Sequence, residues 1–278
     1  MRVVDLFLLA LLASGFVLLS ITGIAHGTWG YDAYAYWAVD PAHPYDTLMN
    51  VHGAYLYAPV FLPITTVFGW LPYGLYLAGW TAILLLALAW LGRGFGAVLF
   101  LVPFVALEIL AGNINLLLAV ALVVGMSRPA AWSFVLLTKP TCGVGLLWFA
   151  ARREWRSLAI ALGTTLVLVS VSLVVLPGAW RDWISLLLES GQRPPVDTWL
   201  PIPIWLRLPA AGALVWWGGR TDRPWTIAAA VTLALPVVWF AGLAILVAAL
   251  RIESRAAVER RAAPMTVLDV QRTAASAT

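Results

Sequence analysis

The chain has 278 residues, of which 62% are hydrophobic and 11% charged, and its mean hydropathy is +0.91. An ordinary soluble domain carries about 25% charged residues, so this composition excludes a water-soluble protein and points to helices that cross a membrane repeatedly. The net charge of +4 comes from arginines near the ends of apolar runs and in the tail; it orients a membrane protein and gives no reason to expect a nucleic-acid partner.

The first apolar run, 3–24, follows Arg2. It is longer than the ~7–15-residue apolar core of a signal peptide and further runs follow, so it reads as a retained helix. Further spans are expected at 56–71, 73–91, 95–111, 113–127, 130–150, 157–176, 204–219 and 225–250. The fold class is therefore all-α, a polytopic transmembrane bundle of about eight to ten spans. Residues 1–250 form the membrane domain, and 251–278 form a charged cytoplasmic tail, partly disordered from Ala262. Two long polar connections, Ala25 to Tyr55 and Pro177 to Pro203, interrupt the apolar pattern. Both are expected to carry short interfacial helices. In the second, Trp180, Trp183, Ile184, Leu187 and Leu188 fall on one side of an amphipathic helix. Trp29, Trp70, Trp155, Trp180, Trp183 and Trp199 flank spans, as interface anchors do.

Orientation follows from the charges. The cluster Arg152, Arg153, Arg156 marks a cytoplasmic loop. The first connection holds Asp32, Asp40 and Asp46 and no Lys or Arg, so it should lie outside. Six spans before Arg152, with the N-terminus inside, satisfy both, and the second connection then shares the outer face. Nine full spans would put the arginine-rich tail outside, against the charge rule. Either span eight, which contains Arg207 and Pro209, is not a simple crossing, or the last segment is broken at Pro236.

Lys139 is the chain's single lysine, and it sits inside the apolar segment 132–150. An ammonium at membrane depth costs about 2.5–3.5 kcal/mol on insertion scales, so such a residue faces a polar cavity or a partner. Pro140 follows it and weakens the local helix. Glu108 is a second charge within a span, and the two are natural partners. It lies one turn before Gly112-Asn113-Ile114-Asn115, which reads as a local break between spans. The asparagines there either face a cavity or bond neighbouring helices. The first outer loop combines carboxylates with a dense set of aromatic rings, including Tyr36 and Tyr45. Its alternatives are a sugar- or headgroup-binding surface and an ordinary acidic loop with an aromatic belt. Arg193, in the second loop, is either a lipid-phosphate ligand or a solvated charge. The single cysteine, Cys142, excludes an intramolecular disulfide and reads as a packing residue. His26, His43 and His52 have spacings that match no helix face, which makes a shared metal a weak reading. No phosphate-binding glycine loop and no nucleophile elbow is present.

Taken in order, these pieces resemble the membrane glycosyltransferases of the GT-C type. They are most similar to glycosyltransferase family 87, the polyprenyl-phosphate-mannose-dependent alpha-1,2-mannosyltransferase-like proteins. The motifs are Asp32-x-x-x-Tyr36 after the first span, Pro44-Tyr45, and Tyr57-Ala58-Pro59 where the family has Tyr-Pro-Pro. They continue with Gly112-Asn113-Ile114-Asn115 where it has Gly-Gln-x-Asn, then Lys139-Pro140 ahead of a basic loop. The resemblance covers about residues 1–160 and fades beyond, where only Leu235-Pro236 and Trp239 are similar to a later family pattern. It implies transfer of a sugar, mannose, from a polyprenyl-phosphate donor to a glycolipid or glycan acceptor at the outer face of a bacterial plasma membrane. It further implies inversion, Asp32 as general base and Lys139 at the phosphate; Arg193, outside the stretch of resemblance, is expected at the same phosphate on its chemistry alone. Tyr36, Tyr45, Tyr57, Glu108, Asn113 and Asn115 would line the cavity, and no metal or other cofactor is needed. The alternative from another class is a non-catalytic membrane protein that binds or transports a lipid-linked sugar or headgroup.

Overall fold

The computed structural model describes residues 14, 15, 21, 27, 29–47, 51–93, 96–191 and 200–253. Among them the architecture is all-α, with no strand. Most of the expected first span and the tail from residue 254 lie outside the described residues.

The first long connection carries helix α1, Tyr31–Trp37, which buries Ala33, Ala35 and Tyr36. It follows Gly30, whose φ of 73° is left-handed, a conformation that glycine adopts without strain. The Gly30 N–H donates to the Leu110 carbonyl at 2.7 Å, so the loop helix is anchored to a distant element before it begins. After a short 3₁₀ turn, Pro59–Phe61, comes α2, Leu62–Gly69, with proline in its first turn. Pro72 then opens α3, Tyr73–Gly92, which has 20 residues and spans about 30 Å at ~1.5 Å per residue.

The next elements are short. They are α4, Gly96–Phe100; α5, Pro103–Ala111; and α6, Asn115–Gly125. The α5 and α6 axes bend by 108° at their junction. Helix α7, Trp132–Thr138, ends at Lys139, where φ is −141° and ψ is 86°. A 3₁₀ segment, Pro140–Leu146, leads from it to α8, Leu147–Ala151. Proline at 140 has no N–H to offer the α ladder, so the chain leaves the α path there.

Helix α9, Trp155–Val175, is uninterrupted for 21 residues and buries only Ala161. An apolar helix of that length whose surface is largely exposed is suited to lipid. Helix α10, Pro177–Gly191, carries the second outer connection. Helix α11, Ile204–Thr221, contains Pro209 and packs on α8 and on α12, Thr226–Leu233. A further 3₁₀ segment, Phe240–Val247, closes the core. That core is centred on fully buried Trp132, in one cluster with Leu116, Leu118, Leu122, Phe149, Ile227 and Ile245.

The expected spans are not all single uninterrupted helices. Among the described residues two helices, α3 and α9, are long and apolar enough to cross a membrane, and the bent α5–α6 pair makes a third if taken as one. The segments 130–150 and 225–250 are both broken, the first at Lys139-Pro140 and the second between Leu233 and Phe240. Irregular backbone at membrane depth is tolerated where it is buried in protein or lines a cavity. Arg207 shows how the second break is satisfied. It is 5% exposed and donates to the carbonyls of Ile202, Leu233, Leu235 and Pro236 at 2.7, 2.7, 2.8 and 3.0 Å. Both readings of this region find support: the last segment is broken around Pro236, and α11, continuous over 18 residues, is not apolar enough to count as a simple crossing.

The two outer connections do meet. Tyr45 and Tyr55 of the first pack with Trp180 and Trp183 of α10, over Leu62 and Leu137. The Trp183 indole donates to the Leu56 carbonyl at 3.1 Å. Trp180 and Trp183 are therefore packing residues rather than interface anchors, with exposures of 6% and 8%. By contrast, Trp70 and Trp155 are exposed at 77% and 60%, as anchors should be. Ile184 and Leu188 on α10 remain exposed.

Candidate active site

The site is built at two places where the helical ladder stops. At the first, Gly112 takes a φ of 70° and ends α5. Both its N–H and that of Asn113 return to the Glu108 carbonyl, at 3.0 and 3.1 Å, which turns the chain sharply into α6. No larger residue fits at 112, because a Cβ there would stand 2.6 Å from the Cβ of Ala33. Helix α1 is thus pressed directly against the bend. Trp80 of α3 fixes the same point, its indole donating to the Gly112 carbonyl at 2.7 Å.

This contact brings Asp32 to Asn113, whose side-chain amide donates to Asp32 Oδ2 at 2.7 Å. The Asn113 side-chain oxygen accepts from the Ile114 N–H at 2.7 Å. Desolvation by the packed loop raises the Asp32 pKa above the ordinary carboxylate value. The Asn113 hydrogen bond and the charges of Lys139 and His52 oppose it more weakly.

On the other side of the bend lies Glu108, fully buried. Leaving a carboxylate in such a place without partners would cost several kcal/mol. Its Oε1 accepts the N–H groups of Asn115 and Leu116 at 2.6 and 3.3 Å, and its Oε2 accepts the Asn115 side-chain amide at 2.9 Å. These donors belong to the first turn of α6, where the helix dipole favours negative charge. The remaining Asn115 oxygen accepts from Lys139 Nζ at 2.7 Å. Glu108 and Lys139 make no direct ion pair among the described residues; the amide of Asn115 joins them. Lys139 itself is half-buried.

Tyrosines border this cluster. The hydroxyls of Tyr36 and Tyr57 are hydrogen-bonded at 2.9 Å, and the Tyr36 ring packs on Trp80 at 5.3 Å between centroids. Tyr45 donates to the Tyr57 carbonyl at 2.8 Å and belongs to the contact with α10, so it supports the site from behind. His43 lies 3.6 Å from Asp46, and the His52 ring stacks on Tyr34 at 4.5 Å. His26 and Arg193 lie outside the described residues. Cys142 is fully buried in the core.

Trp80 went unread in the sequence, and Arg207 was read only as a mark of an irregular span. Trp80 had one available signal, an indole N–H in mid-span, which needs an acceptor when buried. Arg207 had another, a guanidinium within an apolar segment. A cleft of about 490 Å³ at the far end of α11 is lined by Thr221, Asp222, Arg223, Trp225 and Glu253. It sits beside the arginine loop, where Arg152 donates to Asp222 at 2.8 Å, and contains none of the expected site residues.

A family model matches residues 55–270, and its description is glycosyltransferase family 87. No curated protein matches the chain, and no solved structure does. The matched stretch starts after Asp32 and continues far beyond residue 160, where the motif resemblance fades. It takes in the α5–α6 bend and Lys139 together with the Arg207-held break. A match over so much of the chain settles the family: the protein is a membrane protein of glycosyltransferase family 87, and its chemistry is the transfer of a sugar from a donor to an acceptor.

Proposed function

We propose that the protein transfers mannose from a polyprenyl-phosphate donor to a hydroxyl of a glycolipid or glycan acceptor, at the outer face of the plasma membrane and with inversion. One observation carries this reading. A loop carboxylate, Asp32, and the chain's one lysine ammonium, Lys139, are held by Asn113 and Asn115, two asparagines of the same helix break. A base and a cation so placed suit attack on a sugar whose leaving group is a phosphate.

In this mechanism Asn113 holds Asp32 Oδ2, and Oδ1 faces the acceptor hydroxyl. The acceptor oxygen attacks the anomeric carbon and its proton passes to Asp32. The bond from that carbon to the phosphate oxygen breaks, and its electron pair leaves with the polyprenyl phosphate. Lys139 offsets the negative charge that grows on the phosphate, which it can do strongly in a site of low dielectric. Arg193 is assigned to the same phosphate. Burial of Asp32 suits it to the base role, because a pKa raised toward the working pH makes proton acceptance more favourable.

The test uses purified protein in liposomes with radiolabelled polyprenyl-phosphate-mannose, polyprenyl-phosphate-glucose or nucleotide-linked mannose. Transfer from the first alone, lost in Lys139→Met, is the expected result. Transfer from the nucleotide sugar would rule out the lipid-phosphate donor. Tight binding of the lipid donor without turnover, over a full range of acceptors, would favour a non-catalytic role.

A further inference from the structure

Glu108 is fully buried, and the mechanism above gives it no contact with donor or acceptor. It is one end of a polar chain, Glu108–Asn115–Lys139, whose two ends have fixed polarity. An ionised carboxylate only accepts hydrogen bonds and a lysine ammonium only donates them. The amide of Asn115 between them therefore has a single permitted orientation, with its nitrogen toward Glu108 and its oxygen toward Lys139. The distances agree, at 2.9 Å on the carboxylate side and 2.7 Å on the ammonium side. The backbone reinforces it: Glu108 also accepts the N–H groups of Asn115 and Leu116, so one carboxylate fixes both the start of α6 and the rotamer of its first residue. Lys139 is itself the last residue before a proline-opened 3₁₀ segment.

We propose that Glu108 is a positioning residue: through the oriented amide of Asn115 it holds the Lys139 ammonium where the phosphate of the donor arrives. The inference rests on the assignment of Lys139 to the phosphate. Glu108 touches no substrate; it dictates which end of an amide Lys139 meets. The chemistry of the relay, rather than the mere presence of a charge, is what matters.

This can be tested by reversing the polarity. In Glu108→Gln the new amide nitrogen donates, Asn115 turns its oxygen toward it, and an NH₂ group faces the ammonium. In Asn115→Asp two carboxylates confront each other with no donor between them. In the double variant Glu108→Gln/Asn115→Asp, the introduced glutamine amide donates to one oxygen of the introduced aspartate, and the ammonium donates to the other. The total charge equals that of the native pair. Donor kcat and KM are measured separately with polyprenyl-phosphate-mannose in liposomes. A displacement of the ammonium by about 1 Å is expected to cost each single variant on the order of 10²-fold in kcat/KM, and the double variant should recover most of it. Because Lys139 is the only lysine, its rate of modification by an amine-directed reagent reports its environment independently of turnover. That rate should rise several-fold in each single variant and return in the double.

Native kinetics and labelling in Glu108→Gln would overturn the proposal. So would a double variant as impaired as the singles, whether it folds or not, because a relay defined by polarity must be restored by the reversed pair. A role confined to folding would change yield and melting temperature but not the KM or the lysine reactivity of the folded fraction, and that pattern also overturns the proposal. Full activity in Lys139→Met would mark failure of the underlying phosphate assignment. The labelling experiment would still report whether Glu108 positions the ammonium.

Discussion

Asn113 reaches across 81 positions of the chain to donate a 2.7 Å hydrogen bond to Asp32. This contact joins the outer-loop helix to the bend between α5 and α6, and it singles out one of the loop's carboxylates. Asp40 instead accepts from the Ala42 N–H at 2.9 Å, and Asp46 lies exposed beside His43. Asp32→Asn should lower turnover by ~10²–10⁴-fold, the usual contribution of a general base, with insertion and donor binding retained. Asp40→Asn and Asp46→Asn should change activity little. If Asp32→Asn turns over normally and one of the others does not, the base is the wrong carboxylate. If none matters in active protein, the loop-base mechanism fails.

The pH profile follows from the burial of Asp32. Its pKa is raised, chiefly by desolvation, while Asn113, Lys139 and His52 lower it. A base works deprotonated, so kcat/KM should fall as pH drops through this raised value. The acid limb should therefore lie above the unperturbed aspartate pKa of about 3.9. Asn113→Leu removes a hydrogen bond to the charged form and should move the limb to still higher pH. A limb that stays in place in that variant would show that another group controls it.

Sidedness can be read by cysteine labelling at Ala42 and Ser157, since native Cys142 is fully buried. Acids fill the loop containing the first position and arginines surround the second. Only the cysteine at 42 should react with an impermeant reagent in intact cells. Labelling of both from the same side contradicts the arrangement.

Gly112→Ala tests the junction itself. The substitution places a Cβ 2.6 Å from that of Ala33, at a φ of 70°. Strained backbone of this kind costs about 1–3 kcal/mol, and relief would push α1 away from the bend. Melting in detergent should drop, and residual activity should fall further than stability, because Asp32 loses Asn113. An unchanged melting temperature with full activity would mean that α1 does not need this close approach.

Arg207→Met removes the donor to three carbonyls at the last break and to that of Ile202. Hydrogen bonds to charged groups contribute about 1.5–3 kcal/mol each, and buried carbonyls left unpaired add to the loss. The variant should be severely destabilised, with Arg207→Lys intermediate because a single ammonium cannot match the planar fork. A methionine variant as stable as the native protein would show that packing alone holds the break.

The sequence by itself determined the class and the punctuation. Residues 155–175 are largely apolar and contain no proline, and they form one helix of 21 residues. Gly112-Asn113 and Lys139-Pro140 end helices for reasons local to those residues, a left-handed φ in one case and a missing N–H in the other. The family resemblance was legible in those same motifs. The tertiary structure decided which polar group meets which. Glu108 and Lys139 were expected to meet directly, yet Asn115 stands between them, 24 positions before the lysine. The break in 225–250 depends on a guanidinium 26 to 29 positions upstream, so its own residues could not decide between a break and a full crossing. Apolar composition marks a segment as buried or lipid-facing, but hydrogen-bond partners are chosen by packing between segments far apart in the chain, and no local pattern encodes that choice.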